Sequence, residues 1–276
     1  MDEHIVEAMG KAKVVIKDGK VIEIEDPKIE YCPLFHKHRG IEKIDKESIK
    51  KNMEFRIEDF GMCSPSREVF MKDFLSFGVS ETLSTLLDEN IIDCAIMVCE
   101  GCGTVIVTES EMAQGVGGRV SGLVKTSPIP EIMEKIGIKN ILDPKTAAIN
   151  QIKGIELAIK QGFKNIAVTI ADSKELKVIR EIEKSNKDLA IYIFSVHTTG
   201  FDSKDAKELF DYCDIITGCA SKPIREIGDE IAIMKVGESI PIYAATKKGK
   251  EFLERRIEKI GGLKPKKDPK LPKPLI

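Results

Sequence analysis

Alternating apolar and polar positions near the start of the chain predict a β-hairpin. Residues 12–17 and 20–25 are rich in Val and Ile and flank Asp18-Gly19. Both residues of such a tight turn need positive φ, which Gly and Asp tolerate, so this pair is a strong turn signal. Residues 26–40 have no regular period and are predicted to be an ordered loop.

The next section predicts helices followed by two strands. Residues 46–90 have a mostly helical pattern, and the apolar runs 94–98 and 104–107 have strand length. A short Cys-Glu-Gly-Cys-Gly segment separates these two runs. The glycine-dense segment 115–122 is predicted to be a loop.

From residue 139 onward, strand and helix patterns alternate. Strands are predicted at 139–142, 165–170, 189–194, 213–217 and 240–245, and helices at 146–161, 173–186, 203–211 and 247–260. This alternation predicts parallel strands joined by helical crossovers. We therefore expect an α/β protein in three parts. Residues 1–130 form an N-terminal hairpin, cysteine and glycine-loop region, residues 131–262 an open, mostly parallel Rossmann-like sheet, and residues 263–276 a Lys/Pro-rich tail.

Charge and composition limit the classes of partner and the cellular compartment that we expect for this protein. The 276 residues carry a formal charge of −2, which gives no overall field to attract nucleic acid. No apolar run approaches the roughly 20 residues that span a bilayer. We therefore expect a cytoplasmic protein with no nucleic-acid or membrane partner. Its seven cysteines are expected to be mostly reduced, since an odd number cannot pair completely within the chain.

The Cys99-x-x-Cys102 motif is the first candidate site. A turn between two strands lets both thiolates face one ion, and thiolates suit zinc or an iron–sulfur cluster. A closed site needs about four ligands, and Cys32 and Cys63 are the candidates for the others. A thioredoxin-like pair is disfavoured because a strand, not a helix, follows Cys102. The alternative is that these cysteines are buried packing residues.

Cys63 is also a candidate catalytic nucleophile. Ser64 and Pro65 follow it and look like the N-cap and first turn of a helix. A cysteine at such a position feels the positive end of the helix dipole, which favours the thiolate. The alternative is a packing role, with equal weight.

The glycine segment is a candidate anion-binding loop. Converging backbone amides and an arginine suit a phosphate or carboxylate group. The candidate ligand-binding residues are Gly115, Gly117, Gly118, Arg119, Ser121 and Lys125. The spacing matches neither a Walker A loop nor a dinucleotide fingerprint. The alternative is a tight loop with a surface arginine.

Polar residues after the predicted parallel strands form a further candidate site. His197 follows one strand and Cys219 follows another, and parallel sheets bind ligands beyond the carboxyl ends of their strands. We predict that His197 acts as an acid–base group or ligand, and that this edge shares a crevice with Arg119. Asp172 follows a third strand, but Asp172 to Glu175 also reads as a capping box. The alternative for His197 is a hydrogen bond to a neighbouring loop.

Several segments together resemble the methanogenesis marker protein 8 family. They are the N-terminal residues through the Asp18-Gly19 hairpin, Glu30 to Phe35, Cys99 to Val107 and, most specifically, Gly117 to Ile129. The resemblance runs along most of the chain. It implies a role in methanogenic archaea and an anaerobic cytosol, but it supplies no catalytic residues.

Three functions follow as expectations. The first is a methanogenesis accessory protein that binds a metal or iron–sulfur centre or an anionic cofactor. Through family association it would assist maturation or activation of the methyl-coenzyme M reductase system, with a protein partner there. The second is an enzyme acting on a phosphorylated or carboxylated small molecule. The third is a scaffold without a site, whose tail docks a partner. The sequence leaves open whether the protein is an enzyme.

Overall fold

Two β-sheets organise the chain. The computed structural model describes residues 2–119, 122–263 and 269–276, which form a four-stranded and a seven-stranded sheet. The polypeptide is therefore a mixed α/β protein. Each sheet buries apolar side chains against helices, and the small sheet also packs toward one edge of the large one.

The small sheet is antiparallel, with strand order β3-β2-β1-β6. Its strands are β1 (Glu3–Glu7), β2 (Lys13–Lys17), β3 (Lys20–Ile24) and β6 (Gly122–Lys125). The predicted hairpin is confirmed, with φ of 47° at Asp18 and 72° at Gly19. The sequence did not reveal that β1 and the distant β6 extend this hairpin into a sheet.

The large sheet is mixed, with strand order β10-β11-β9-β8-β7-β4-β5. Its strands are β4 (Cys94–Cys99), β5 (Gly103–Val107), β7 (Asn165–Ile170), β8 (Ala190–Ser195), β9 (Ile215–Thr217), β10 (Met234–Val236) and β11 (Ile242–Ala244). The predicted parallel pairing of β7 with β8 is confirmed, and β4 and β9 continue it on either side.

The sheet departs from the mostly parallel arrangement at both edges. β5, β10 and β11 are antiparallel to their neighbours. The links before β5 and β11 are too short for a helical crossover, so the chain can only return antiparallel. The strand predicted at 139–142 is wrong: Ile138–Asn140 is a 3-10 turn, and Ile141 forms a single bridge with Val105.

Helices cover both faces of the large sheet. They are α1 (Pro33–Arg39), α2 (Lys46–Phe60), α3 (Val79–Asp88), α4 (Ser110–Gly117), α5 (Pro130–Ile136), α6 (Gln151–Lys160), α7 (Leu176–Ser185), α8 (Ser203–Tyr212), α9 (Lys222–Ile231) and α10 (Lys247–Lys259). Among the described residues, none of these helices has the length and apolar character to cross a membrane. α1 lies where a loop was expected, and the sequence patterns did not predict α9.

The two sheets meet at the carboxyl ends of the parallel strands. One core combines Val6, Ile16 and Met53 of the N-terminal region with Ala220, which follows β9. The C-terminal segment 269–276 closes this junction. Its Lys273 pairs with Tyr31, whereas the main-chain N of Ile276 donates to the carbonyl of Ala220 at 2.8 Å.

The predicted division at residue 130 does not coincide with a break between the sheets. β4 and β5 precede residue 130 but belong to the large sheet, and β6 precedes it in the small sheet. The tail predicted at 263–276 packs against the rest of the chain over residues 269–276.

Candidate functional site

Four residues with unusual backbone conformations mark the junction between the sheets. Lys11, Cys63, His197 and Cys219 have φ of 60°, 55°, 55° and 27°. Residues other than glycine rarely adopt positive φ, because the side chain then crowds the following peptide, and such residues often lie at functional sites. Three of the four are the candidate catalytic residues that the sequence pointed to.

Lys11 reaches across the junction from the small sheet. It ends a 3-10 turn before β2, and its Nζ donates to the carbonyl of His197 at 3.4 Å. The ammonium also lies 5.1 Å from the centre of the Phe201 ring. Within the part of the chain that the structure describes, no carboxylate forms a salt bridge with Lys11. Burial lowers the pKa of this lysine, and the negative charge of Glu7 only partly offsets that effect.

The ring of His197 lies in the same place, two residues beyond the end of β8. Burial lowers the pKa of His197 to about 4, and the positive charges of Lys11 and Arg56 add to this effect. The imidazole is therefore neutral at neutral pH. Its ring nitrogens have no hydrogen-bond partner among the described residues, so the predicted alternative of a bond to a neighbouring loop is not observed.

Arg56 contacts the end of the glycine segment, and its charge acts on the His197 ring. It is 8% exposed on α2, stacks toward the Phe60 ring and donates to the carbonyl of Arg119. Burial lowers the pKa of Arg56 to about 10, and the charge of Glu100 counteracts this. Arg56 thus acts on His197 by its charge and contacts the main chain of Arg119, while the crevice shared by His197 and Arg119 stays a prediction.

Cys219 and Cys32 also lie at the junction between the two sheets. Cys219 is half-buried just after β9, and its carbonyl accepts from Arg225 at 3.0 and 2.6 Å. Cys32 is the N-cap residue of α1. Burial raises the pKa of the Cys32 thiol, and a charge on Cys219 would raise it further, so the two are neighbours. Cys32 thus lies with Cys219, in a different core cluster from Cys99 and Cys102.

The CxxC motif forms the tight turn between β4 and β5. The N–H of Cys102 donates to the carbonyl of Cys99 at 3.1 Å, and both side chains are fully buried. The hydrogen bond between the two thiols raises the pKa of Cys99 well above its usual value, and burial adds to the effect. The strand–turn–strand placement is confirmed, but the Cys99 thiol is protonated and both side chains are enclosed.

A buried ion pair lies next to this turn. Arg67 Nε donates to Glu100 Oε2 at 3.2 Å, and both side chains are 0% exposed. The other carboxylate oxygen, Glu100 Oε1, has no hydrogen-bond partner in the described part of the chain. Across residues 2–119, 122–263 and 269–276, no three His, Cys, Asp or Glu side chains surround a common point. The zinc or iron–sulfur site at these cysteines stays a prediction.

The expected setting of Cys63 is wrong. No helix follows it: the chain is irregular from residue 61 to residue 78. The positive end of a helix dipole is therefore missing, and burial followed by the charge of Glu100 raises the pKa of Cys63 well above its usual value. Cys63 is 1% exposed within the core of the junction, which matches the packing alternative.

The glycine segment is also not the expected loop. Gly115 and Gly117 lie inside α4, so their amides belong to the helix ladder and do not converge on a cavity. A Cβ on Gly115 would lie 2.2 Å from the carbonyl of Val69, and one on Gly117 would lie 2.6 Å from Met97. Close packing explains these glycines, and Gly118 ends the helix.

The other proposed anion ligands are separated from the glycines. Arg119 is directed to Glu68, at 3.3 Å, and to the face of Phe60. Lys125 lies on β6 and pairs with Glu3 at 2.7 Å, which lowers the pKa of Glu3 to about 2. Ser121 lies outside the described residues.

Sequence patterns missed Lys11 and Arg56, which place positive charge next to His197. Lys11 lies in a segment that reads as an ordinary charged strand, and Arg56 lies on a helix dense in charged residues. The one available signal was Gly10, whose positive φ of 73° allows the tight turn before Lys11.

Comparisons with known proteins place the whole site inside one family. The family described as "Uncharacterized protein conserved in archaea (DUF2099)" matches residues 4–258. An uncharacterized protein of Methanocaldococcus jannaschii is 43% identical over 263 residues, which cover 94% of this chain and 92% of that protein. No solved structure matches the chain.

Proposed function

The chain belongs to the DUF2099 family of archaeal proteins, and we propose that it binds an anionic small molecule or cofactor at the junction of its two sheets. The ligand would lie beyond the carboxyl ends of β8 and β9, where Lys11 contacts the His197 carbonyl and the charge of Arg56 acts on the His197 ring. The parallel strands would then be used as in a Rossmann-like sheet, with the ligand at the edge where the loops begin.

One observation carries this proposal. The ammonium of Lys11 has no carboxylate partner among the described residues. It donates to the main-chain carbonyl of His197, whose ring has no hydrogen-bond partner among those residues. A partly buried cation without a counter-ion is costly, because water no longer solvates it fully. A bound anion would remove that cost.

The chemistry of the three side chains suggests distinct roles. Arg56 stays charged, and its positive charge favours a carboxylate or phosphate nearby. Lys11 adds a second positive charge. His197 is neutral at neutral pH. A bound anion would offset the two positive charges around His197 and raise its pKa toward neutrality, where a histidine transfers protons well.

Proton NMR of the histidine rings tests binding directly. The chain has four histidines, and the loss of one signal in His197→Gln identifies the resonance of interest. Titration with inorganic phosphate, and then with small carboxylates, should move the His197 resonance and raise its pKa. It should leave His36 and His38 on α1 unchanged.

Two lysine variants provide the matched comparison. Lys11→Met should weaken anion binding, whereas Lys28→Met removes an exposed neighbouring charge and should leave binding nearly unchanged. Saturation at a hundred times the dissociation constant should stabilise the wild type by about 2.7 kcal/mol. The proposal fails if none of these anions moves the His197 resonance, or if both lysine variants respond as the wild type does.

The biological part of the proposal is a role in methanogenesis, with assistance to the methyl-coenzyme M reductase system. The resemblance to the methanogenesis marker protein 8 family supports it. Anaerobic affinity purification from a methanogen tests it, and the reductase or a maturation factor should co-purify with the tagged protein. If neither the reductase nor a maturation factor is recovered while phosphate still binds, the role in methanogenesis is refuted and only the ligand site is supported.

A further inference from the structure

We propose that Lys11 is a covalent nucleophile that forms an imine with an aldehyde or ketone group of the anionic ligand. The inference rests on the proposed function, because the anionic group would be attracted to the positive charge at this junction while the amine of Lys11 meets the carbonyl carbon. The ligand class is therefore a small oxo compound that carries a carboxylate or phosphate.

The position of Lys11 is the geometric basis. The turn Met9–Lys11 packs tightly against the following segment, since a Cβ on Gly10 would lie 2.7 Å from Pro27. This close packing fixes the backbone from which Lys11 extends, and Lys11 itself has positive φ. From this backbone the amine of Lys11 reaches the His197 carbonyl, at 3.4 Å.

The surroundings of the amine suit nucleophilic chemistry. The buried ring of Phe201 lies under the Nζ atom, and its one hydrogen-bond partner among the described residues is the His197 carbonyl. The absence of a carboxylate partner leaves the amine free to react. Burial also lowers the pKa of Lys11, which raises the fraction of unprotonated amine. Lysines that form imines in proteins are commonly activated by such desolvation.

The reaction balances without an oxidant or a reductant. The neutral ring of His197 first accepts a proton from the Lys11 ammonium. The amine lone pair then attacks the carbonyl carbon, a C–N bond forms, and the carbonyl π electrons move to oxygen. Protons returned by His197 and from the nitrogen allow this oxygen to leave as water, which gives the protonated imine. One ammonium and one carbonyl thus become one protonated imine and one water.

Reductive trapping with pyridoxal 5′-phosphate, an anionic aldehyde, tests the inference. The folded protein is treated with limiting reagent and then with borohydride, and peptide mass spectrometry locates the label. Lys11 should carry several-fold more label than the exposed Lys28, because its lowered pKa raises the fraction of unprotonated amine. Inorganic phosphate should protect Lys11 and leave Lys28 unprotected.

Three variants separate a reactive lysine from a merely charged one. Lys11→Arg keeps the charge and should remove the dominant label, whereas Lys28→Arg should leave the dominant label in place. His197→Gln should slow labelling of Lys11 several-fold, although phosphate still protects it.

The possible failures are distinguishable. If the label is distributed evenly over the exposed lysines while phosphate still moves the His197 resonance, the covalent role of Lys11 is refuted. Anion binding at the junction is then still supported. If Lys11 carries most of the label but phosphate does not protect it, Lys11 is a nucleophile and the proposed anion site is refuted. Equal labelling rates in His197→Gln and the wild type would remove His197 from the reaction.

Discussion

Acidification should destabilise this protein through His197 in a defined pH range. The folded-state pKa of His197 is about 4, compared with the ordinary value of 6.5. The unfolded chain therefore binds a proton between these pH values and the folded chain does not. Stability is fully present above about pH 6.5 and is lost as the pH falls toward 4.

The difference between the folded-state and ordinary pKa values of His197 sets the size of this loss of stability. At 1.36 kcal/mol per pKa unit, it corresponds to about 3 kcal/mol. The His197 residue is partly exposed, so solvent reduces the expected loss to about 2 kcal/mol. Burial is the largest cause of the lowered pKa, and repulsion from Lys11 and Arg56 adds to it.

Urea unfolding measured at several pH values tests this loss. Carboxylates also titrate over this range, so the useful quantity is the difference between the wild type and His197→Gln, in which they are unchanged. That difference should shift by about 2 kcal/mol in favour of the variant on going from pH 7 to pH 4. A difference that stays constant with pH would refute the reasoning, and a shift of opposite sign would mean that a carboxylate faces the ring.

Two further predictions concern packing around α4 and α10. Arg256 is fully buried and donates to both carboxylate oxygens of Asp73 at 2.5 and 2.7 Å, so Arg256→Met should cost about 3 kcal/mol in urea unfolding. The control Lys259→Ala removes an exposed ion pair from the same helix and should cost less than about 1 kcal/mol; equal losses would contradict this ranking. Gly115→Ala should lower stability by about 2 kcal/mol, because its Cβ would overlap the carbonyl of Val69, and an unchanged melting temperature would count against it.

The sequence predicted the parts of the fold that depend on local pattern. The Asp18-Gly19 turn, the strands β7 and β8 and their parallel pairing all follow from short-range periodicity and turn chemistry. Pairings between distant segments were missed. β1 and β6 are brought together from more than a hundred residues apart, and no local pattern encodes that contact. Short return links, not strand composition, decided that β5 and β11 run antiparallel.

The glycine segment shows why composition can mislead about a site. Glycine permits a loop around an anion, but it equally permits another backbone to approach a helix closely. The carbonyl of Val69 lies where a side chain on Gly115 would be, so the second use applies here. For Cys63 the error was similar: Ser-Pro reads as a helix start, but the chain stays irregular after it.

The candidate site exists only where the two sheets meet. Lys11 and the carbonyl it contacts are 186 residues apart in the sequence, one beside the small sheet and one at the edge of the large sheet. Neither sheet alone places a cation beside the neutral ring of His197. A ligand that needs both groups must bind the docked arrangement more tightly than any separated one, and its binding energy then stabilises the junction. The segment 269–276 spans the same junction from Tyr31 to Ala220. Ligand binding and the attachment of this segment therefore favour the same state of the protein.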